Sequence, residues 1–169
     1  MVARVVAGCS MPPVNYELYM RAALSEAVAA AAAGEAADGA VAVMDEAMVA
    51  HGRVSVRGSN DPTAHAVMGA IRGAARRLGR PSLSGVTVFA MVEPCAMCVG
   101  ALIQSDADGL VFALRDPSDG ACGSRLQLAE AAGAPRRLRV VSGILRDDAA
   151  DLRPDLDGDR SDRRASVGR

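Results

Sequence analysis

Two short segments hold residues that could do chemistry together. His65 lies in Asn60-Asp61-Pro62-Thr63-Ala64-His65-Ala66-Val67, and two thiols lie in Glu93-Pro94-Cys95-Ala96-Met97-Cys98. Spaced three apart on a helix, Cys95 and Cys98 share one face. A helix N-terminus stabilises thiolates through its dipole and its free N–H groups. Zinc takes cysteine sulfur and histidine nitrogen in tetrahedral geometry, and one histidine with two cysteines leaves a fourth position for water, as in catalytic rather than structural sites. By itself a Cys-x-x-Cys pair is equally a redox motif, and a lone histidine is commonly structural. Together, the order His-Ala-x and then Pro-Cys-x-x-Cys is more specific than either part and favours zinc.

The elements that must position these residues follow from the hydrophobic spacing. A helix is expected from Asn15 or Tyr16 to Gly34, with Leu18, Ala22, Ser25 and Ala29 near helical spacing and an alanine run favouring it. Two strands, 40–44 and 48–56, turn at Asp45-Glu46. Asp61-Pro62-Thr63 starts a helix over 64–78, with Asp61 or Thr63 as cap and Gly79 as stop. The apolar run Val86–Val92 reads as a buried strand. Pro94 ends it and opens a helix over 95–104. A strand over 110–114, a Gly- and Asp-rich loop over 116–124, a strand over 138–142 and a helix over 147–152 complete the series. Strands alternating with helices imply an α/β layered fold. Both chemical segments fall at helix starts.

Composition bounds the rest. The 169 residues suit one domain, spanning 15–152, with an N-terminal extension over 1–14 and a polar tail over 153–169 expected to be disordered. Half the residues are hydrophobic but only 2% are aromatic, so the core must be aliphatic, with the methionines as filler. All 19 basic residues are arginine and the net charge is −1, which gives no electrostatic support for nucleic-acid binding. The run Arg72, Arg76, Arg77 and Arg80 reads as a solvated helix face, and His51 as a surface turn residue. No stretch suits a membrane span or a signal peptide, so a cytoplasmic protein with free thiols at Cys9 and Cys122 is expected.

The pattern resembles the zinc-dependent cytidine/deoxycytidylate-type deaminase family, whose signature is His-x-Glu followed by Pro-Cys-x-x-Cys. Asp61-Pro62-Thr63-Ala64-His65-Ala66 resembles the run in bacterial tRNA adenosine deaminases and bacterial guanine deaminases. Ala70-Ile71-Arg72-Gly73-Ala74 and Leu78-Gly79 are similar to guanine deaminases. Arg115-Asp116, Gly120-Ala121, Gly123-Ser124 and Gly143-Ile144-Leu145 are similar to tRNA adenosine deaminases. The resemblance covers roughly 16–152. It implies a three-layer α/β/α sandwich with a five-stranded mixed sheet, a homo-oligomer such as a homodimer, and Zn2+ held by His65, Cys95 and Cys98.

The same resemblance implies a hydrolytic deaminase of an amino-bearing nucleobase or nucleoside, a small-molecule partner rather than nucleic acid or membrane. In the family, a glutamate two residues after the histidine carries protons from the attacking water to the base and to departing ammonia. Val67 stands at that position here, and valine carries no proton, so turnover is expected to be impaired or lost. Glu93 is the nearest alternative carboxylate, and Asn60 the candidate for the family's substrate-binding asparagine. The family's Pro-x-Gly-Ala-Val stretch reads Ala37-Asp38-Gly39-Ala40-Val41. Whether this chain is an enzyme stays open. Its alternatives are a pseudoenzyme or active-site variant, a tRNA adenosine deaminase-like protein, and a binding protein that keeps the fold and the zinc.

Overall fold

Asn15 starts the first helix: its side-chain oxygen accepts the Leu18 N–H at 3.1 Å and caps α1 (Tyr16–Ala32). The computed structural model describes residues 15–130 and 138–157. Helix α1 buries Tyr19, Met20, Ala23, Ala27 and Ala30, a single stripe at helical spacing. Strands β1 (Gly39–Met44) and β2 (Ala47–Arg53) form a hairpin whose two turn residues, Asp45 and Glu46, both have positive φ (50° and 62°). That is the backbone a two-residue hairpin turn needs to match strand twist. There follow α2 (Val56–Ser59), α3 (Ala66–Leu78), β3 (Thr87–Val92), α4 (Ala96–Gln104), β4 (Gly109–Leu114), β5 (Arg139–Ser142) and α5 (Arg146–Leu152).

The five strands form one mixed sheet in the order β2-β1-β3-β4-β5. β1 is antiparallel to both β2 and β3, whereas β3, β4 and β5 run parallel. Successive strand residues face opposite sides of a sheet, and the core divides accordingly. Ala40, Ala42, Val88, Ala90, Leu110 and Phe112 belong to the cluster that includes α3 and α4. Val41, Val43, Phe89, Met91, Val111 and Ala113 belong to the cluster that includes α1 and α5. Three layers result, as expected for an α/β/α sandwich. The scarce aromatics concentrate at one place, with Tyr16 and Tyr19 tilted against Phe89 at ring separations of 6.0 and 5.2 Å.

A close backbone approach sets where α3 begins. A Cβ on Gly52 would lie 2.1 Å from the Ala66 carbonyl oxygen and 2.5 Å from the Ala70 nitrogen. Only glycine lets the first turn of α3 rest directly on β2, and this turn carries His65 at its edge.

The expected elements are present, with three local differences. The strand expected over 48–56 ends at Arg53, because the Glu35 carboxylate caps the short helix α2 by accepting the Arg57 and Gly58 N–H groups at 3.2 and 2.7 Å. Asp61-Pro62-Thr63 forms an Asx turn, Thr63 N–H and hydroxyl both donating to Asp61 Oδ1 at 2.8 and 2.7 Å, so the helix cap falls at His65 instead. His51 lies in β2, not in a turn, with Nδ1 3.3 Å from Glu26.

The extension over 1–14, Cys9 with it, and the tail beyond 157 lie outside the described residues. The tail's first residues do not behave as expected: 153–157 continue the fold. Arg146 donates to the buried Asp157 carboxylate at 2.7 Å, and Leu156 packs on the α1 side of the core. Among the described residues no helix is long and apolar enough to cross a membrane.

Candidate active site

His65 and Cys95 occupy equivalent places, each the N-cap residue of its helix with extended backbone (ψ 154° and 172°). Cys98 lies in the first turn of α4. His65 Nδ1 is 3.6 Å from Cys95 Sγ and 3.7 Å from Cys98 Sγ, and the three donor atoms lie within 4.8 Å of one another. Tetrahedral zinc with ordinary Zn–N and Zn–S bonds separates a nitrogen and a sulfur donor by roughly 3.6 Å, so the donor set fits zinc in kind and in spacing.

The cluster sits at two helix starts, and the N-terminus of α4 acts on Cys95 through its free N–H groups. The Cys95 thiol is pushed down to about 5, chiefly by hydrogen bonding to the Cys98 thiol and further by the backbone N–H groups of Cys98 and Met97. Cys98 is pushed up by the same bond and by burial. A zinc ion bound here would take both sulfurs as thiolates and displace their protons, so its affinity would rise with pH.

Glu93 is 3% exposed and committed to a loop. Its Oε1 accepts the Cys122 and Ser124 N–H groups at 2.8 and 3.1 Å. Its Oε2 accepts the Asp116 N–H at 3.3 Å and the Ser124 hydroxyl. The 116–124 loop is thereby clamped to the end of β3. Gly120 makes the clamp possible, since a Cβ there would stand 2.5 Å from both Glu93 Cδ and the Asp116 carbonyl oxygen. Cys122, a buried residue of this same loop, has its thiol pushed up to about 12 by burial and the neighbouring Glu93 charge, which disfavours the reactive thiolate.

The cluster opens into a cavity of about 360 Å3, a size that suits one small ligand. His65, Val67, Glu93, Cys95 and Cys98 all line it. Val67 is only 2% exposed and has no polar atom to offer the cavity. Asn60 does not line it; it caps the end of α2 in the left-handed conformation (φ 56°, ψ 35°), where asparagine is tolerated.

Other lining residues were not singled out by spacing: Glu35, Asp38, Arg57, Asp116, Asp119 and Arg153. Asp38 is brought in by topology. The register Ala40↔Ala90 between antiparallel β1 and β3 sets the residue before β1 beside the end of β3, and Asp38 Oδ1 accepts the Val92 N–H at 3.2 Å. Burial raises its carboxyl to about 7, against the lowering effect of the Val92 and Gly39 N–H groups and of Arg153, with Asp116 adding a smaller upward push. Its one sequence signal is a carboxylate leading directly into an apolar strand. Arg153 enters from the tail that was expected to be disordered.

With this geometry established, the comparisons with known proteins agree. Residues 13–114 match the model of the family described as "Cytidine and deoxycytidylate deaminase zinc-binding region". The chain belongs to this zinc-binding deaminase family. A tRNA-specific adenosine deaminase of Bacillus subtilis (strain 168) is 34% identical over 136 residues, covering 80% of this chain and 84% of that one. A guanine deaminase of the same organism is 38% identical over 101 residues, 59% of this chain and 65% of that one. Among solved structures, one from work on tRNA:A34 deaminases that edit at the wobble position of transfer RNA superposes with a TM-score of 0.77 at 32% identity, covering 80% of this chain and 98% of that one. The guanine deaminase from Nitrosomonas europaea gives 0.72 at 26% identity, covering 92% and 87%.

Proposed function

We propose that the protein is a zinc-dependent hydrolytic deaminase homologue for an amino-bearing nucleobase or nucleoside, in which the proton route through position 67 is lost. One observation carries the reading: Val67 lies inside the cavity, two residues after the metal-ligating His65, where the family's proton-carrying glutamate stands. His65, Cys95 and Cys98 would hold the zinc, which when bound supplies a water activated for attack near neutral pH. The cavity walls orient the base, and the Glu93 clamp fixes the loop that closes one side. General acid–base catalysis contributes roughly 10²–10⁴-fold, so turnover falls by about that factor unless another group carries protons.

A small ligand is favoured over nucleic acid by charge. Among the described residues, five carboxylates (Glu35, Asp38, Glu93, Asp116 and Asp119) line the cavity against two guanidinium groups (Arg57 and Arg153) and His65, a balance that attracts amino and ring N–H groups and repels phosphate. The similarity to tRNA-acting relatives keeps a second reading, adenosine deamination in tRNA, which predicts activity on an anticodon stem-loop and none on free bases. Val67→Glu tests both. With zinc content verified, it is expected to raise ammonia release from at least one member of a panel of bases, nucleosides and stem-loops by 100-fold or more, on the order of general acid–base catalysis. No ammonia release by either wild type or Val67→Glu across the panel, with zinc bound, leaves the binding-protein reading.

A further inference from the structure

We infer that Asp38 is the catalytic proton carrier of this cavity, taking the role that Val67 cannot perform. The inference rests on the deaminase reading above. Five carboxylates line the cavity, and the structure disposes of four. Glu93 has both oxygens bonded by the 116–124 loop. Glu35 spends both oxygens capping α2. Asp116 holds its own turn together, Oδ1 accepting from the Ser118 N–H, the Ser118 hydroxyl and the Asp119 N–H at 2.9, 2.8 and 3.1 Å. Asp119 is exposed to solvent at the edge of the cavity, with no backbone or side-chain contact among the described residues that would hold its carboxylate toward the interior.

Asp38 differs from all four. Where Glu35 has both oxygens taken, Asp38 accepts the Val92 N–H on Oδ1 at 3.2 Å, and among the described residues no side chain is hydrogen-bonded to it; Arg153 acts on it through charge. It stands at the junction of β1 and β3, the edge from which Pro94, Cys95 and Cys98 also face the cavity. A general base works best when its pKa lies near the working pH, and burial brings Asp38 to about 7. Asp38 is half-buried, tied to the end of β3 through one oxygen and lining the cavity beside the metal-ligand cluster, the placement of a perturbed carboxyl at a functional site.

The chemistry balances with this single group. As the water oxygen bonds the ring carbon bearing the amino group, one water proton passes to the Asp38 carboxylate, which delivers it to the adjacent ring nitrogen. The carboxylate then takes the remaining hydroxyl proton and gives it to the amino nitrogen. The C–N bond breaks, its electron pair leaving with ammonia, and the carbon–oxygen bond becomes a carbonyl. One water is consumed, one ammonia is released, and Asp38 is again a carboxylate.

The test compares four zinc-loaded full-length proteins: wild type, Asp38→Asn, Val67→Glu and the double variant. Ammonia release is read on a base panel, alongside zinc content and equilibrium binding of the best base. Asparagine keeps the acceptor for Val92 and removes the proton site. The expected result is measurable wild-type turnover, a loss of 100-fold or more in Asp38→Asn with zinc content and base affinity within about threefold of wild type, and recovery in the double variant, the loss being of general acid–base size. Recovery separates a proton carrier from a structural residue, because a damaged cavity would not be rescued by a new glutamate. Unchanged turnover in Asp38→Asn overturns the assignment. So does an inactive wild type beside an active Val67→Glu, which leaves the deaminase reading standing. Inactivity of wild type and Val67→Glu alike, with zinc bound, removes that reading and this inference with it.

Discussion

His65 Nδ1 stands 3.6 Å from Cys95 Sγ although thirty positions separate the two residues in the chain. Each caps a different helix, and the two helix starts meet because α3 rests on β2 through Gly52 while α4 springs from the end of β3. A metal ion bound at this junction would tie the two helix starts together, so its removal is expected to affect the fold as well as the chemistry.

Purified protein is expected to hold about one zinc per chain by elemental analysis. Cys95→Ala, Cys98→Ala and His65→Ala each abolish it. A ligand that binds the folded chain stabilises it by mass action, so chelation should lower the melting temperature of wild type and leave the three variants unmoved. Full zinc retention in either cysteine variant would contradict the site.

Glu93→Gln should loosen the 116–124 loop without emptying the metal site. The amide offers one acceptor oxygen and a donor group where the carboxylate accepts from Cys122, Ser124 and Asp116. Leaving buried donors unpaired costs about 1–3 kcal/mol. Gly120→Ala should cost a similar amount, since its Cβ would meet Glu93 Cδ at 2.5 Å. Hydrogen exchange localised to the loop, with zinc content preserved, checks both; an unchanged loop in Gly120→Ala would mean the clamp can give way freely.

Asp38 makes stability depend on pH. Its folded value, about 7, lies above its unfolded value, 3.8. The contribution is therefore fully present below about pH 4 and is lost as pH rises through 7. An upward shift of this size corresponds to at most about 4 kcal/mol. Asp38→Asn should accordingly match wild type near pH 4 and be the more stable protein at pH 8. Chemical denaturation at the two pH values reads the difference, and parallel losses in both proteins would show that the carboxyl titrates normally.

Much of the site was legible because its signals are local. Cys95 and Cys98 lie within one helical turn, His65 sits at a helix start, and the strand–helix alternation follows from apolar periodicity read over windows of ten or so residues. The same local logic placed the Asp45-Glu46 turn, and the structure has a turn there with positive φ at both residues. It failed where a neighbour in space overrode a neighbour in sequence. Val54 to Val56 looked like continued strand, but Glu35 caps a helix there. Arg153 looked like tail, but Asp157 and Leu156 fasten it beside the cavity. Asn60, which by sequence could equally bind substrate or shape a turn, ends α2 in the left-handed conformation and is absent from the cavity lining.

The sequence alone therefore determined the metal-binding triad, the family, the order of elements and the valine at position 67, because each is written in residues a few positions apart or in a motif of fixed order. Which carboxylates meet in the cavity was decided only by the tertiary structure. Asp38 reaches Val92 through the antiparallel pairing of β1 with β3, and Glu93 is consumed by a loop that returns more than twenty residues later. Pairing register and loop return are set by packing of the whole sheet, and no window along the chain contains them.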